Sequence, residues 1–136
     1  MQGTSLAGRT ILIAEDEPFI AMDIASACET AGAVVLTAAT CEAAARLVEH
    51  DALSAAVLDF GLRDGHADPL CLRLNERNIP YVLHSGYTHY GDACHRGIVI
   101  AKPAHPNMLI EAIVRALRRP YDECPSALCP SSVRPE

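Results

Sequence analysis

Short runs of consecutive, mostly apolar residues alternate along this chain with segments of helical periodicity, and that alternation restricts the fold more than any other feature. Residues 10–14, TILIA, form the first such run. An unbroken apolar strand is one buried on both faces, as strands are in parallel sheets. The run breaks at Glu15, Asp16 and Glu17, and Pro18 then stands where a first helical residue belongs. Ile20, Ile24, Ala27, Cys28 and Ala31 follow at helical spacing, and Gly32 is placed to end that helix as its C′ residue.

The pattern repeats. Residues 33–38 read as a second strand, and Thr40 is placed to cap a helix over 42–50. Residues 54–58 read as a third strand that ends at Asp59. A helix is expected over 68–77, with Pro69 in its first turn, then a fourth strand over 81–84 and a fifth over 98–101. A last amphipathic helix is expected over 107–119, with Met108, Ile110, Ala112, Ile113 and Leu117 as candidate buried positions. Between Gly86 and Gly97 the apolar periodicity is poor, so a short or irregular fourth helix is expected there. Five strands alternating with helices imply an α/β, doubly wound sheet with parallel strands and right-handed crossovers.

The 136 residues amount to one domain, expected over 1–120. Residues 121–136 are rich in Pro and Ser, lack periodicity and are expected to be disordered. The formal net charge of −6 and the scattered basic residues argue against a nucleic-acid-binding surface, which needs a basic patch. The densest basic cluster, Arg115, Arg118 and Arg119, sits where a helix C-terminus favours positive charge. No apolar run is long enough to span a bilayer and no signal peptide is evident, so a cytoplasmic protein is expected. The six cysteines, Cys28, Cys41, Cys71, Cys94, Cys124 and Cys129, include no CxxC pair and are expected as free thiols. Cys124 and Cys129 with a histidine such as His95 match no strong zinc spacing.

In doubly wound sheets, function collects at the carboxyl ends of the strands. Strand one ends in Glu15 and Asp16, strand three in Asp59, strand four in Ser85 and strand five in Lys102. Three carboxylates, one hydroxyl and one ammonium are thus expected on one edge. Two unit charges about 4 Å apart repel by roughly 4 kcal/mol at an effective dielectric of about 20. A divalent cation relieves that repulsion, and hard oxygen ligands suit Mg²⁺. A carboxylate such as Asp59 is also a nucleophile able to form an aspartyl phosphate. Lys102 and Ser85 are then placed to meet phosphoryl oxygens. Singly, an Asp at a strand end is most often a cap, and a Ser-Gly or Lys-Pro pair a turn; it is their joint occurrence, in order, that points to chemistry.

At these residues the sequence resembles the response-regulator receiver family of bacterial two-component phosphorelays. The matching segments are ILIAEDE at 11–17, VLDFGLRDG at 57–65, HSGY at 84–87 and AKP at 101–103, and the resemblance covers residues 8–119. It implies a flavodoxin-like (βα)5 sheet in the order 2-1-3-4-5. Asp59 would be the phosphoacceptor, Asp16 a direct Mg²⁺ ligand, and Glu15 a ligand through water. The backbone carbonyl of Gly61 would be a further ligand. Ser85 and Lys102 would engage the phosphoryl group. The implied partners are a histidine kinase and a histidine phosphotransfer protein, with dimerisation as a homodimer left open. The protein would be a signalling phosphoacceptor, not an enzyme that turns over a separate substrate.

One position departs from the family. The aromatic switch residue expected two positions before the lysine is Ile100 here. The sequence Ser85-Gly86-Tyr87 resembles the FAT GUY subgroup of stand-alone receivers, although His84 replaces a small residue before the hydroxyl. In that subgroup an aromatic after strand four carries the switching role, which puts Tyr87 at that position. Since the chain stops after the last helix, output is expected through protein–protein contact or phosphate relay. Two alternatives stand beside this reading. One is a phospho-independent receiver-like binding module. The other is a haloacid-dehalogenase-like phosphatase, whose second catalytic Asp would fall at Gly61.

Overall fold

A computed structural model describes residues 5–86 and 92–118. The chain runs through β1 (Thr10–Ala14), α1 (Pro18–Thr30), β2 (Val34–Ala38), α2 (Cys41–Leu47), β3 (Leu53–Leu58), β4 (Gly61–Leu62), β5 (Gly65–His66), α3 (Asp68–Glu76), β6 (Tyr81–Ser85), β7 (Ile98–Ala101) and α4 (Pro106–Arg118). Five parallel strands form one sheet in the order β2-β1-β3-β6-β7. Counting only these strands, the order is the expected 2-1-3-4-5 of a flavodoxin-like α/β fold. The two-residue strands β4 and β5 pair separately as a small antiparallel hairpin just after β3.

Every residue of β1 and β6 is buried, whereas the edge strands β2 and β7 are partly exposed. Alternate residues of the central strands feed two cores, as a pleat with period two requires. Leu12, Ala56, Leu58 and Leu83 pack with Ala44 and Val48 around α2 and with Leu70, Cys71 and Leu74 of α3. Ile11, Ile13, Val57 and Val82 pack on the opposite face with Ile24 and Cys28 of α1 and Leu109, Ile110 and Ile113 of α4. Each fully buried large aliphatic side chain contributes about 1.5–3 kcal/mol, so the two apolar layers fix which helix lies on which face.

Local sequence sets the helix ends. Glu17 caps α1 by accepting from the Phe19 amide at 3.1 Å, with Pro18 inside the first turn. The C-terminus closes as a Schellman motif: the amide of Ala33 donates to the Cys28 carbonyl and that of Gly32 to the Glu29 carbonyl. Gly32 has φ +103°, and a Cβ there would lie 3.0 Å from the backbone of Ala7. Thr40 caps α2 by accepting from the Ala43 amide at 3.1 Å.

Several expectations need correction. The second helix stops at Leu47, three residues short of the expected end, because Val48 already serves as its C-cap. Met108 is half exposed, not buried: α4 turns Leu109, Ile110, Ala112, Ile113, Val114 and Ala116 inward, which leaves Met108 off the buried arc. Cys71 and Cys94 are not free thiols but are paired as a disulfide, with Cα atoms 5.2 Å apart. Cys28 and Cys41 are free. In the region of the expected short or irregular fourth helix, Asp92–Cys94 forms a single 3₁₀ turn. Tyr87, Arg119, the tail over 121–136 and its cysteines lie outside the described residues. No helix among the described residues is long and apolar enough to cross a membrane.

Candidate functional site

The parallel ladders bring the strand ends to one edge. The Glu15 amide donates to the Ala38 carbonyl, the Asp59 amide to Ala14, and the Lys102 amide to Ser85, at 2.9, 2.9 and 3.1 Å. These bonds continue the pairing of β1 with β2, β3 with β1, and β7 with β6 by one residue each. The backbone thereby sets side by side the residues that end the four strands.

Glu15, Asp16 and Asp59 offer carboxylate oxygens that all lie within 4.8 Å of one another. Glu15 and Asp59 are buried and Asp16 is half-buried. Lys102 joins the group: its Nζ is 3.0 Å from Asp59 Oδ2 and 3.3 Å from Glu15 Oε1. The Lys102–Pro103 peptide that follows is cis. Ser85 ends β6, buried, in register with Ala101. Gly61, two residues beyond Asp59, opens the β4–β5 hairpin, and its amide points to Asp59 Oδ1 at 3.4 Å.

Electrostatics follow from burial and crowding. Burial pushes the Glu15 carboxyl above its usual range; the Glu17 amide, 3.0 Å from Oε2, opposes this, the Asp59 charge adds to it, and Lys102 opposes it. For Lys102, burial acts downward, but the hydrogen bond and charge of Asp59, with Glu15 behind it, carry the net shift upward. Three carboxylates against one ammonium leave an excess of negative charge in a half-enclosed space. Burial and then the Asp59 charge make a charged Glu15 unfavourable here, and a divalent cation with hard oxygen ligands fits the cluster.

A surrounding layer that sequence reading passed over positions these groups. The Asp64 carboxylate accepts from the amides of Cys41 and Glu42 at 2.7 and 3.2 Å, tying the hairpin turn to the first turn of α2. Those two amides hold Asp64 below the usual carboxylate range, against a smaller opposing effect of desolvation. Phe60, next to Asp59, stacks on His66 of β5 with ring centroids 5.0 Å apart. Arg63 donates to the Asp16 carbonyl at 3.2 Å. An Asp three residues beyond Gly61 was the available signal, but nothing in the sequence named its partner.

No protein-family model matches the sequence, and no curated protein does. Solved structures do match. The non-phosphorylated HemR receiver domain from Leptospira biflexa superposes with a TM-score of 0.72 at 22% identity, over 82% of this chain and 98% of that one. A CheY-like response regulator receiver domain protein from Methanospirillum hungatei gives 0.72 at 24% identity, over 80% and 93%. The response regulator PhyR from Brucella abortus gives 0.70 at 26% identity, over 85% of this chain and 50% of that one. The chain thus has the fold of response-regulator receiver domains, with an acidic cluster and a lysine gathered at the carboxyl edge of its sheet.

Proposed function

We propose that this protein is a response-regulator receiver in which Asp59 accepts a phosphoryl group from the phosphohistidine of a partner histidine kinase. The observation that carries the reading is the bridge made by Lys102, whose single ammonium touches both Asp59 and Glu15 while Asp16 completes the carboxylate cluster. A purely structural strand-end Asp needs a nearby amide donor, not two further carboxylates and a lysine.

Each group then has a task. Asp59 Oδ is the nucleophile, and the phosphoryl group moves from the donor imidazole nitrogen to that oxygen. Asp16 and Asp59 would hold Mg²⁺ directly, with the Gly61 carbonyl, and Glu15 would hold it through water. The ion supplies charge neutralisation of the phosphoryl oxygens. Lys102 exchanges its contact with Asp59 Oδ2 for a phosphoryl oxygen, and the Ser85 hydroxyl donates to another. The phosphorylated state is read by a protein partner, or the group passes on to a histidine phosphotransfer protein. With Ile100 in place of an aromatic on β7, Tyr87 of the FAT GUY-like sequence carries the switch. Self-catalysed transfer and hydrolysis are the only reactions, and the protein works in the cytoplasm.

Intact mass after incubation with acetyl phosphate and Mg²⁺ tests this. Wild type is expected to gain one phosphoryl mass, and Asp59→Asn or chelated protein none. A label that persists in Asp59→Asn overturns the assignment. The absence of any adduct, with a partner still bound, favours a phospho-independent binding module.

A further inference from the structure

Arg63 belongs to none of the roles above. It stands in the turn of the β4–β5 hairpin and is exposed. Its Nη2 donates to the main-chain carbonyl of Asp16 at 3.2 Å, joining segments 47 residues apart in the sequence. Among the described residues Arg63 pairs with no carboxylate, and no backbone amide meets the Asp16 carbonyl. Holding a long exposed side chain in one place opposes its conformational entropy, so the contact adds little to the stability of the fold. Its consequence is local: it sets where Asp16 stands.

The two segments that this contact joins carry ligands of the proposed cation site. Asp16 follows β1, and Gly61 opens the hairpin whose turn holds Arg63. The hairpin is itself fixed. Gly61 pairs with His66 and Leu62 with Gly65, Phe60 stacks on His66, and Asp64 accepts from the first two amides of α2. Arg63 therefore reaches from a fixed base across to the β1–α1 loop. Within that loop the Glu17 amide donates to the Glu15 carboxylate, a bond that does not tie the loop to the hairpin. Mg²⁺ demands near-octahedral geometry at short distances, so ligands drawn from two loops hold it well only when the loops keep their spacing. Groups that hold metal ligands in place alter the affinity when they are removed. The guanidinium charge acts the other way, since it repels a dication, but its exposure leaves that repulsion screened.

We propose that Arg63 is a positioning residue of the cation site: by holding the Asp16 carbonyl it keeps the β1–α1 loop against the hairpin, so that Asp16 and the Gly61 carbonyl stand at the spacing a divalent cation needs. The inference rests on the cation site of the proposed function, not on phosphoryl transfer to Asp59. Removing the contact loosens the site, whereas removing only a repulsive charge tightens it, so the sign of the effect separates the two.

Mg²⁺ is titrated by calorimetry into the divalent-free full chain, for wild type, Arg63→Met, Arg63→Lys and Arg9→Met. Arg9 is exposed at the amino edge of the sheet, so its variant loses the same charge at the edge opposite the cluster. Arg63→Met is expected to raise the dissociation constant about threefold to tenfold, as the loss of one hydrogen bond provides. Arg63→Lys should stay within about twofold of wild type, because one nitrogen makes the contact and an ammonium of similar reach replaces it. Arg9→Met should match wild type. In the divalent-free protein, amide exchange over residues 15–17 should be faster in Arg63→Met and unchanged in Arg9→Met. Binding by Arg63→Met as tight as wild type, or tighter, overturns the proposal, and so does unchanged exchange over 15–17. A role in stability alone would lower the Tm of Arg63→Met and leave its dissociation constant unmoved, which also overturns it. If wild type binds no Mg²⁺, the cation site fails and this inference with it. If wild type binds Mg²⁺ but Asp59 takes no phosphoryl group, the transfer reading alone fails and the role of Arg63 stands.

Discussion

The Lys102 ammonium lies 3.0 Å from Asp59 Oδ2, and the same nitrogen is 3.3 Å from Glu15 Oε1. One cation therefore compensates two buried carboxylates from different strands. Removing it strands both. Lys102→Met keeps much of the stem's packing and deletes the charge. Breaking a fully buried pair costs about 3–5 kcal/mol, but the Lys102 side chain is 24% exposed, so solvent screens part of the loss. Urea unfolding without divalent ions is expected to show a loss of about 1–3 kcal/mol. An unchanged midpoint would mean that the bridge contributes nothing to the fold.

Divalent ions should act in the opposite direction. The Glu15 carboxyl is pushed above its ordinary value of 4.5, chiefly by burial. Between that value and the raised one, the folded protein holds a proton that the unfolded chain has released. Stability from this group therefore falls as pH rises through that window, and the penalty is complete only above the raised value. Mg²⁺ at ten times its dissociation constant is expected to add about 1.4 kcal/mol to stability, seen as a rise of several degrees in Tm that chelation reverses. Asp16→Asn should blunt the rise. A Tm indifferent to Mg²⁺ would refute the cation assignment.

His84 gives a pH dependence of its own. Burial and then Lys102 lower its pKa below the ordinary 6.5. On acidification the unfolded chain takes up this proton first, so the folded state loses stability from pH 6.5 down to the depressed folded value, and above 6.5 the group is silent. Replacing His84 by Leu should flatten that limb of the stability curve. It should also leave the protein equally stable or more so at neutral pH, since two ring nitrogens without a hydrogen-bond partner among the described residues are removed. A limb as steep in the variant as in wild type would assign the effect to another group.

What the sequence made legible follows from physics of short range. Continuous, mostly apolar runs announced all five strands of the main sheet, and the parallel topology they imply was enough to gather Glu15, Asp16, Asp59 and Lys102 at one edge. The β4–β5 hairpin was invisible because two-residue strands carry no periodicity; it depends on the pairing of Gly61 with His66. Met108 was misplaced because a helix with many apolar residues does not reveal where its buried arc is centred. The Asp64 cap on α2 spans more than 20 residues, and the Cys71–Cys94 pairing joins α3 to the turn after β6. Neither is encoded in local spacing, and connectivity among six cysteines cannot be read from their order.

That disulfide can be tested directly. Cys71 and Cys94 are both buried, and their Cα separation of 5.2 Å suits a bond without backbone movement. Alkylation under denaturing, non-reducing conditions should leave this pair unlabelled, and prior reduction should expose both. Closing a loop across a sequence separation of 23 residues constrains the unfolded chain, and reduction should lower stability by about 2–4 kcal/mol. Full labelling of air-exposed protein would show that the two sulfurs remain thiols.

The turn that carries Cys94 is also held without any sulfur, and a single methyl group tests that. Tyr81 Oη lies 3.0 Å from Asn75 Oδ1 and 3.2 Å from the Ala93 carbonyl, and Asn75 Nδ2 donates to the same carbonyl at 2.9 Å. The Tyr81 ring is buried, so it has little room to yield. A Cβ on Gly97 would come within 2.7 and 2.9 Å of two carbons of that ring. Gly97→Ala must therefore shift Tyr81 and loosen its bonds to α3 and the turn, a form of overpacking that costs about 1–3 kcal/mol. Gly97 has no need of a positive φ, so backbone strain does not complicate the result. Urea unfolding should show the loss, and faster amide exchange over residues 92–97 should accompany it. If the variant is as stable as wild type and exchange there is unchanged, the ring yields freely, and the contact between Gly97 and Tyr81 does not position the turn beyond Ser85.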